Sequence, residues 1–96
     1  MTTPVIVEVK VKPDLVDEMK LLLKKILPDT KAFDGFISID VCHNLDSIGE
    51  FVFYEQWESR KHYEKYFAWR TETGVIDQMA AMSVEPPRVS YFGLIE

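Results

Sequence analysis

The residues best able to do chemistry crowd into one stretch, Glu50 to Trp69 (EFVFYEQWESRKHYEKYFAW), which holds eight of the twelve aromatic residues, both tryptophans and one of two histidines. Tyr66 is a phenol with a free pKa near ~10, a poor base but a fair donor to an oxyanion; a core tyrosine with a satisfied hydroxyl is the plainer reading. His62 titrates near neutral pH and could act as a base, although the first turn of a helix, where it falls, usually faces solvent. Tyr63 and Trp69 have apolar bodies with polar tips and suit a pocket mouth. Phe53 and Trp57 could clamp a flat ligand or simply build core. Glu55, a carboxylate on an aromatic face, suits a raised-pKa acid or base. The preferred reading is an ion pair with Arg70, Arg88 or a lysine. Cys42 and His43 are strand neighbours that point to opposite faces. No CxxC or HxxxH spacing occurs, so no metal set is expected.

These residues need elements to hold them. In the first half of the stretch, Phe51, Phe53, Glu55 and Trp57 alternate with Val52, Tyr54 and Gln56, the period of a strand apolar on both faces. In the second half Ser59 can cap a helix on which Tyr63, Tyr66, Phe67 and Arg70 recur at i, i+3, i+4 and i+7. Upstream, Pro4 to Lys12 alternates as a half-buried strand with Val5, Val7, Val9 and Val11 inward. Pro13 and Asp14 start a helix whose stripe is Leu15, Met19, Leu22, Leu23 and Ile26. Pro28 should end or kink it near Leu27. Asp34-Gly35 turns into a strand over Phe36 to His43, with Ile37, Ile39, Val41 and His43 on one face and Phe36, Ser38, Asp40 and Cys42 on the other. A short polar loop makes this strand and the next a hairpin. Thr71 to Gly74 should break the later helix, Val75 to Met82 should resume it, and Arg88 to Ile95 reads as the last strand.

The order β-α-β-β-α-β predicts an α+β, ferredoxin-like sandwich: a four-stranded antiparallel sheet, strand order 4-1-3-2, with the helices on one face. Residues 1–96 read as a single domain. The third strand is apolar on both sides, yet the helices cover only one. Apolar area is worth roughly 25 cal/mol per Å², so a homodimer with sheets packed face to face is expected. The net charge of −5 argues against nucleic acid, which needs a basic patch. No apolar run approaches the ~20 residues of a membrane span and no signal peptide is evident. One cysteine forms no internal disulfide and is compatible with a cytoplasmic protein.

Three stretches give the chain a resemblance to the antibiotic biosynthesis monooxygenase (ABM) domains of the dimeric α+β barrel superfamily. They are the Pro-Asp helix start with the later Asp34-Gly35-Phe36-Ile37-Ser38 turn, the segment Phe53-Tyr54-Glu55-Gln56-Trp57, and the aromatic helix after it. The resemblance implies O₂-dependent oxidation of electron-rich phenols or quinols without a cofactor, in a pocket between sheet and helices. Such chemistry asks the protein to help form a phenolate-like anion away from water. Many members carry histidines at two positions of the second helix; here these are Tyr66 and Thr71. The haem-degrading branch uses a first-strand asparagine, which VIVEVKVK lacks. The expected function is therefore oxidation of a small aromatic or quinone-like substrate, with Tyr66 and His62 as catalytic candidates and Trp57, Tyr63, Trp69 and Phe53 as binding candidates. A non-catalytic binding protein of the same fold is the alternative, and a structural dimerisation module the third reading.

Overall fold

The computed structural model describes residues 2–96. Its elements are β1 (Thr3–Lys10), α1 (Val16–Lys31), β2 (Phe36–His43), β3 (Glu50–Trp57), α2 (Arg60–Glu72), α3 (Val75–Ala81) and β4 (Arg88–Tyr91). The strands form one antiparallel sheet in the order β2-β3-β1-β4, as the element order predicts. Val5, Val7 and Val9 of β1 stand opposite Glu55, Phe53 and Phe51 of β3. Directly opposed residues share a face, and this face is buried against Met19 and Leu23 of α1, Tyr63 and Tyr66 of α2, and Val75 and Met79 of α3.

Acidic Asp17 and Glu18 sit in the first turn of α1 and Lys31 in the last, each matching the helix dipole. The helix does not stop before Pro28 but runs on to Lys31. The proline removes one i→i−4 bond. The turn beyond it is held from outside instead, because Thr30 bonds to side chains of α2. Ser59 caps α2 by accepting from the His62 amide at 3.2 Å. The break before α3 falls at Gly74, whose φ of 86° is left-handed backbone that glycine adopts without steric cost.

Three further sequence expectations change. Phe36 joins the helix-facing side of β2 because the register shifts between Phe36 and Ser38; Phe36 pairs with Trp57, and Ile39 with Glu55. A bulge of this kind inserts one residue and flips the alternation on either side of it. The last strand ends at Tyr91, and Leu94 and Ile95 are exposed. The first strand ends at Lys10, with Val11 making only an isolated bridge to Ser83. The open face of the sheet is mixed: half-buried Ile6 and Val52 and exposed Tyr54 lie among Glu8, Lys10, Ser38 and Asp40. No helix is long and apolar enough to cross a membrane among the described residues.

Pro28 is exposed, so Pro28→Ala should restore the missing helical bond without disturbing core. A gain of about 1–3 kcal/mol is expected, read as a higher urea midpoint with an unchanged slope.

Candidate functional site

Trp57 is fully buried at the end of β3. Its ring lies 5.0 Å from Tyr66, 5.5 Å from Phe36, 5.6 Å from Tyr63 and 6.2 Å from Phe33, centroid to centroid. Tyr63 extends the cluster to Tyr91 of β4 at 5.8 Å. Phe53, two residues before Glu55, is buried in the same core. Trp69 stacks on Phe33 at 5.4 Å and is only half-buried. With Phe33, Asp34, Lys65, Ala68 and Glu72 it lines a shallow surface cleft of about 400 Å³. The fold thus brings Phe53, Trp57, Tyr63, Tyr66 and Trp69 together between sheet and α2, with Trp69 at the rim. Phe33 and Phe36 complete the cluster. They lie outside the aromatic stretch, and only the register shift in β2 turns Phe36 inward.

Glu55 is buried in this layer at 3% exposure. The expected ion pair does not form: among the described residues no cation lies within salt-bridge distance of it. Arg88 pairs loosely with Glu8 on the open face, and Arg70 turns toward α1. Its hydrogen bond comes from Trp57 Nε1, which donates to Oε1 at 2.9 Å. Across the strands it faces Val5 and Ile39. Burial pushes its carboxyl up to about 7, and the indole N–H offsets part of that rise. Burial and then the neighbouring Glu55 push Tyr63 far above the ordinary phenol value, so Tyr63 stays a neutral hydrogen-bond donor. A carboxyl pushed toward neutrality and a phenol kept neutral are therefore buried in the same layer.

Arg70 is also buried, and no carboxylate meets it. Its Nε donates to Tyr66 Oη at 2.9 Å, and its Nη2 donates to Thr30 Oγ1 at 2.9 Å and to the Ile26 carbonyl at 2.7 Å. Thr30 Oγ1 and Tyr66 Oη lie 2.7 Å apart. The guanidinium sits 4.4 Å above the Trp69 ring centre, a cation–π distance. The Tyr66 hydroxyl is thus committed to a clasp between α1 and α2. In the sequence Arg70 reads as the last member of a helical stripe and a possible partner of Glu55, not as the centre of a helix clasp. The overlooked signal was a charge in a core-facing position.

The structure does not bring His62 to the aromatic cluster. His62 lies over buried Gly35, whose φ is 87° and where any Cβ would overlap the imidazole. Its Nδ1 is 2.6 Å from Ser59 Oγ and its Nε2 3.8 Å from Asp34 Oδ2. Ligand atoms of Asp34, Glu58 and His62 lie within 4.8 Å of one another, donors of a kind a divalent cation accepts. Both carboxylates are exposed, where water competes with any such ion. Thr71, at the second histidine position, is exposed and bonds the Phe67 carbonyl.

Two variants test this geometry. Tyr66→Phe leaves Arg70 Nε without its acceptor and should cost about 1–3 kcal/mol, read by urea unfolding. Between pH 4.5 and about 7 native Glu55 holds a proton that the unfolded chain has released. Stability therefore falls as pH rises through that window and levels off above it, a loss of about 3 kcal/mol. Glu55→Gln keeps an acceptor for Trp57 and removes the titration. It should be more stable than the natural protein at pH 8 and much closer to it at pH 5 by the same measurement.

Among curated proteins, none matches this sequence. Solved structures share its fold. A crystal structure of an antibiotic biosynthesis monooxygenase is 20% identical, with 98% of this chain and 99% of that chain covered at a TM-score of 0.88. Rv0793 from Mycobacterium tuberculosis is 23% identical, with 100% and 97% covered at 0.86. A variant of SnoaB, described as a cofactor-independent oxygenase from Streptomyces nogalater, is 12% identical, with 99% and 94% covered at 0.83. The sequence profile described as antibiotic biosynthesis monooxygenase matches residues 4–71. That span runs from β1 through the aromatic strand and nearly all of α2, and on it the chain belongs to the antibiotic biosynthesis monooxygenase family.

Proposed function

We propose that the protein is a cofactor-independent monooxygenase that oxidises a small aromatic or quinol-type substrate with O₂. The observation that carries this is the layer between sheet and α2. There the rings of Trp57, Tyr63 and Tyr66 pack together in the layer that also buries Glu55, whose carboxyl burial pushes up to about 7. A phenol or quinol reacts with O₂ most readily as its anion, so a site for it needs flat apolar walls, a proton acceptor and donors to the resulting oxyanion. Family membership supports the same reading. Substrate would enter by the Trp69 rim or along β2. On β2, Ile39 opposite Glu55 is half-buried and Val41 opposite Phe53 is 36% exposed, so the helices leave this edge uncovered. In this reading Phe53 and Trp57 form the walls and Trp69 the entrance. Tyr66 holds α2 to α1 through its clasp and so steadies the walls, and His62 acts from the first turn of α2 with Asp34.

The reading includes a homodimer joined through the open sheet face, where Ile6, Val52 and Tyr54 supply apolar surface. It also places the protein in the cytoplasm, where its single exposed cysteine stays a thiol.

One observation favours a second reading, a non-catalytic binding protein. The phenol at the usual histidine position is tied to Arg70 and Thr30 and is not free to act on a ligand. Oxygen uptake with a panel of hydroquinones and naphthols, no cofactor added, separates the two against a protein-free control. The expected result is uptake above autoxidation that saturates with substrate and scales with protein. No uptake, with a ligand-dependent rise in melting temperature, would establish the binding protein instead.

A further inference from the structure

Glu55 is an expensive residue to keep where it is. A buried carboxylate without a cation is destabilising, and the effect is relieved only by pairing or protonation. Val5 and Ile39 flank it on the neighbouring strands, and the one bond it receives, from Trp57, fixes its orientation without neutralising it. Arg70, the buried cation of the same layer, spends its bonds on Tyr66, Thr30 and Ile26. The second carboxylate oxygen has no protein partner. It is not sealed off either, since among the described residues no fully buried side-chain oxygen lacks a hydrogen bond. The uncovered edge of β2 lies beside it. From α2, the titratable group that bears on Glu55 is Tyr63, held as a neutral donor.

From this geometry we infer that Glu55 is a catalytic residue that takes the proton from the hydroxyl of a phenolic or quinol substrate on its unbonded carboxylate oxygen, while Tyr63 donates to the substrate oxygen that is left. The substrate O–H bond breaks, its electron pair stays on the phenolate oxygen, and the proton forms the carboxylic acid. No electron leaves the substrate in this step. Trp57 is a positioning residue: its indole N–H holds the other carboxylate oxygen and so aims the free one. This inference deepens the oxygenase reading and rests on it for the substrate class.

The test pairs turnover with binding. With a naphthohydroquinone that the natural protein oxidises, Glu55→Gln should lower kcat by roughly 10²–10⁴-fold, the usual contribution of a positioned base, and leave KM little changed. The natural rate should rise with pH through about 7, and the variant should lose that limb. Binding is read with 4-nitrophenol, which does not react with O₂, by calorimetry at pH 8 in buffers of different ionisation heat. The phenolate and Glu55 must share a proton to lie together, so the natural protein should take up about one proton per ligand and Glu55→Gln none. Unchanged kcat in Glu55→Gln, or nitrophenol binding without proton uptake, overturns the assignment. Proton uptake without O₂ consumption for any quinol upholds the contact with Glu55 and overturns the oxygenase reading alone. Failure of any phenol to bind overturns both.

Discussion

The indole of Trp57 is the contact on which the rest of the interior depends. It lies at the end of β3, where the sheet stops and α2 begins, and four aromatic rings from three other segments close around it. Pairs of this kind add about 0.5–1.5 kcal/mol each beyond the area they bury. Truncating a buried tryptophan typically costs about 3–5 kcal/mol. Its polar edge matters as much as its faces, because the N–H that must find a partner in the core finds Glu55. One side chain thus seats α2 on the sheet and orients the buried Glu55 carboxylate.

A second constraint acts between the helices. Arg70 carries a full charge into the protein and is met there by two hydroxyls and a carbonyl. Hydrogen bonds to a charged donor are stronger than neutral ones, and losing any one acceptor would leave part of a buried cation unsatisfied. The clasp ties α2 to the C-terminal end of α1. It also anchors the turn of α1 beyond Pro28, a segment that local propensity alone would release.

Much of the fold was legible because its signals are local and periodic. The valines of β1, the apolar stripe of α1, the Ser59 cap and the Gly74 break each lie within a few residues and need no tertiary knowledge. The errors fall where a distant partner decides. Pro28 reads as a stop until Arg70 and Tyr66 are seen to hold Thr30. Phe36 reads as outward until the register shift in β2 moves it onto Trp57. Of the candidate site, the aromatic walls were legible because strand period and helix period converge on one region. The state of Glu55 was not. A carboxylate among arginines and lysines in sequence invites an ion pair, and only the three-dimensional arrangement shows Arg70 and Arg88 directed elsewhere. His62 is a candidate base for its imidazole, with a solvent-facing first turn as the plainer reading, and the structure holds it over Gly35, away from the aromatic cluster.

The two tryptophans occupy opposite environments, and this gives the protein a built-in optical readout. Trp57 is dry, with its N–H on a carboxyl that changes charge near neutrality. Trp69 is half in water, beneath the Arg70 guanidinium. An indole shielded from water is expected to emit further to the blue than an exposed one, so the first, Trp57, should report on the interior. The second is a redder indole that senses what arrives at the rim. The unlabelled protein thus has one indole in its interior and one at its entrance.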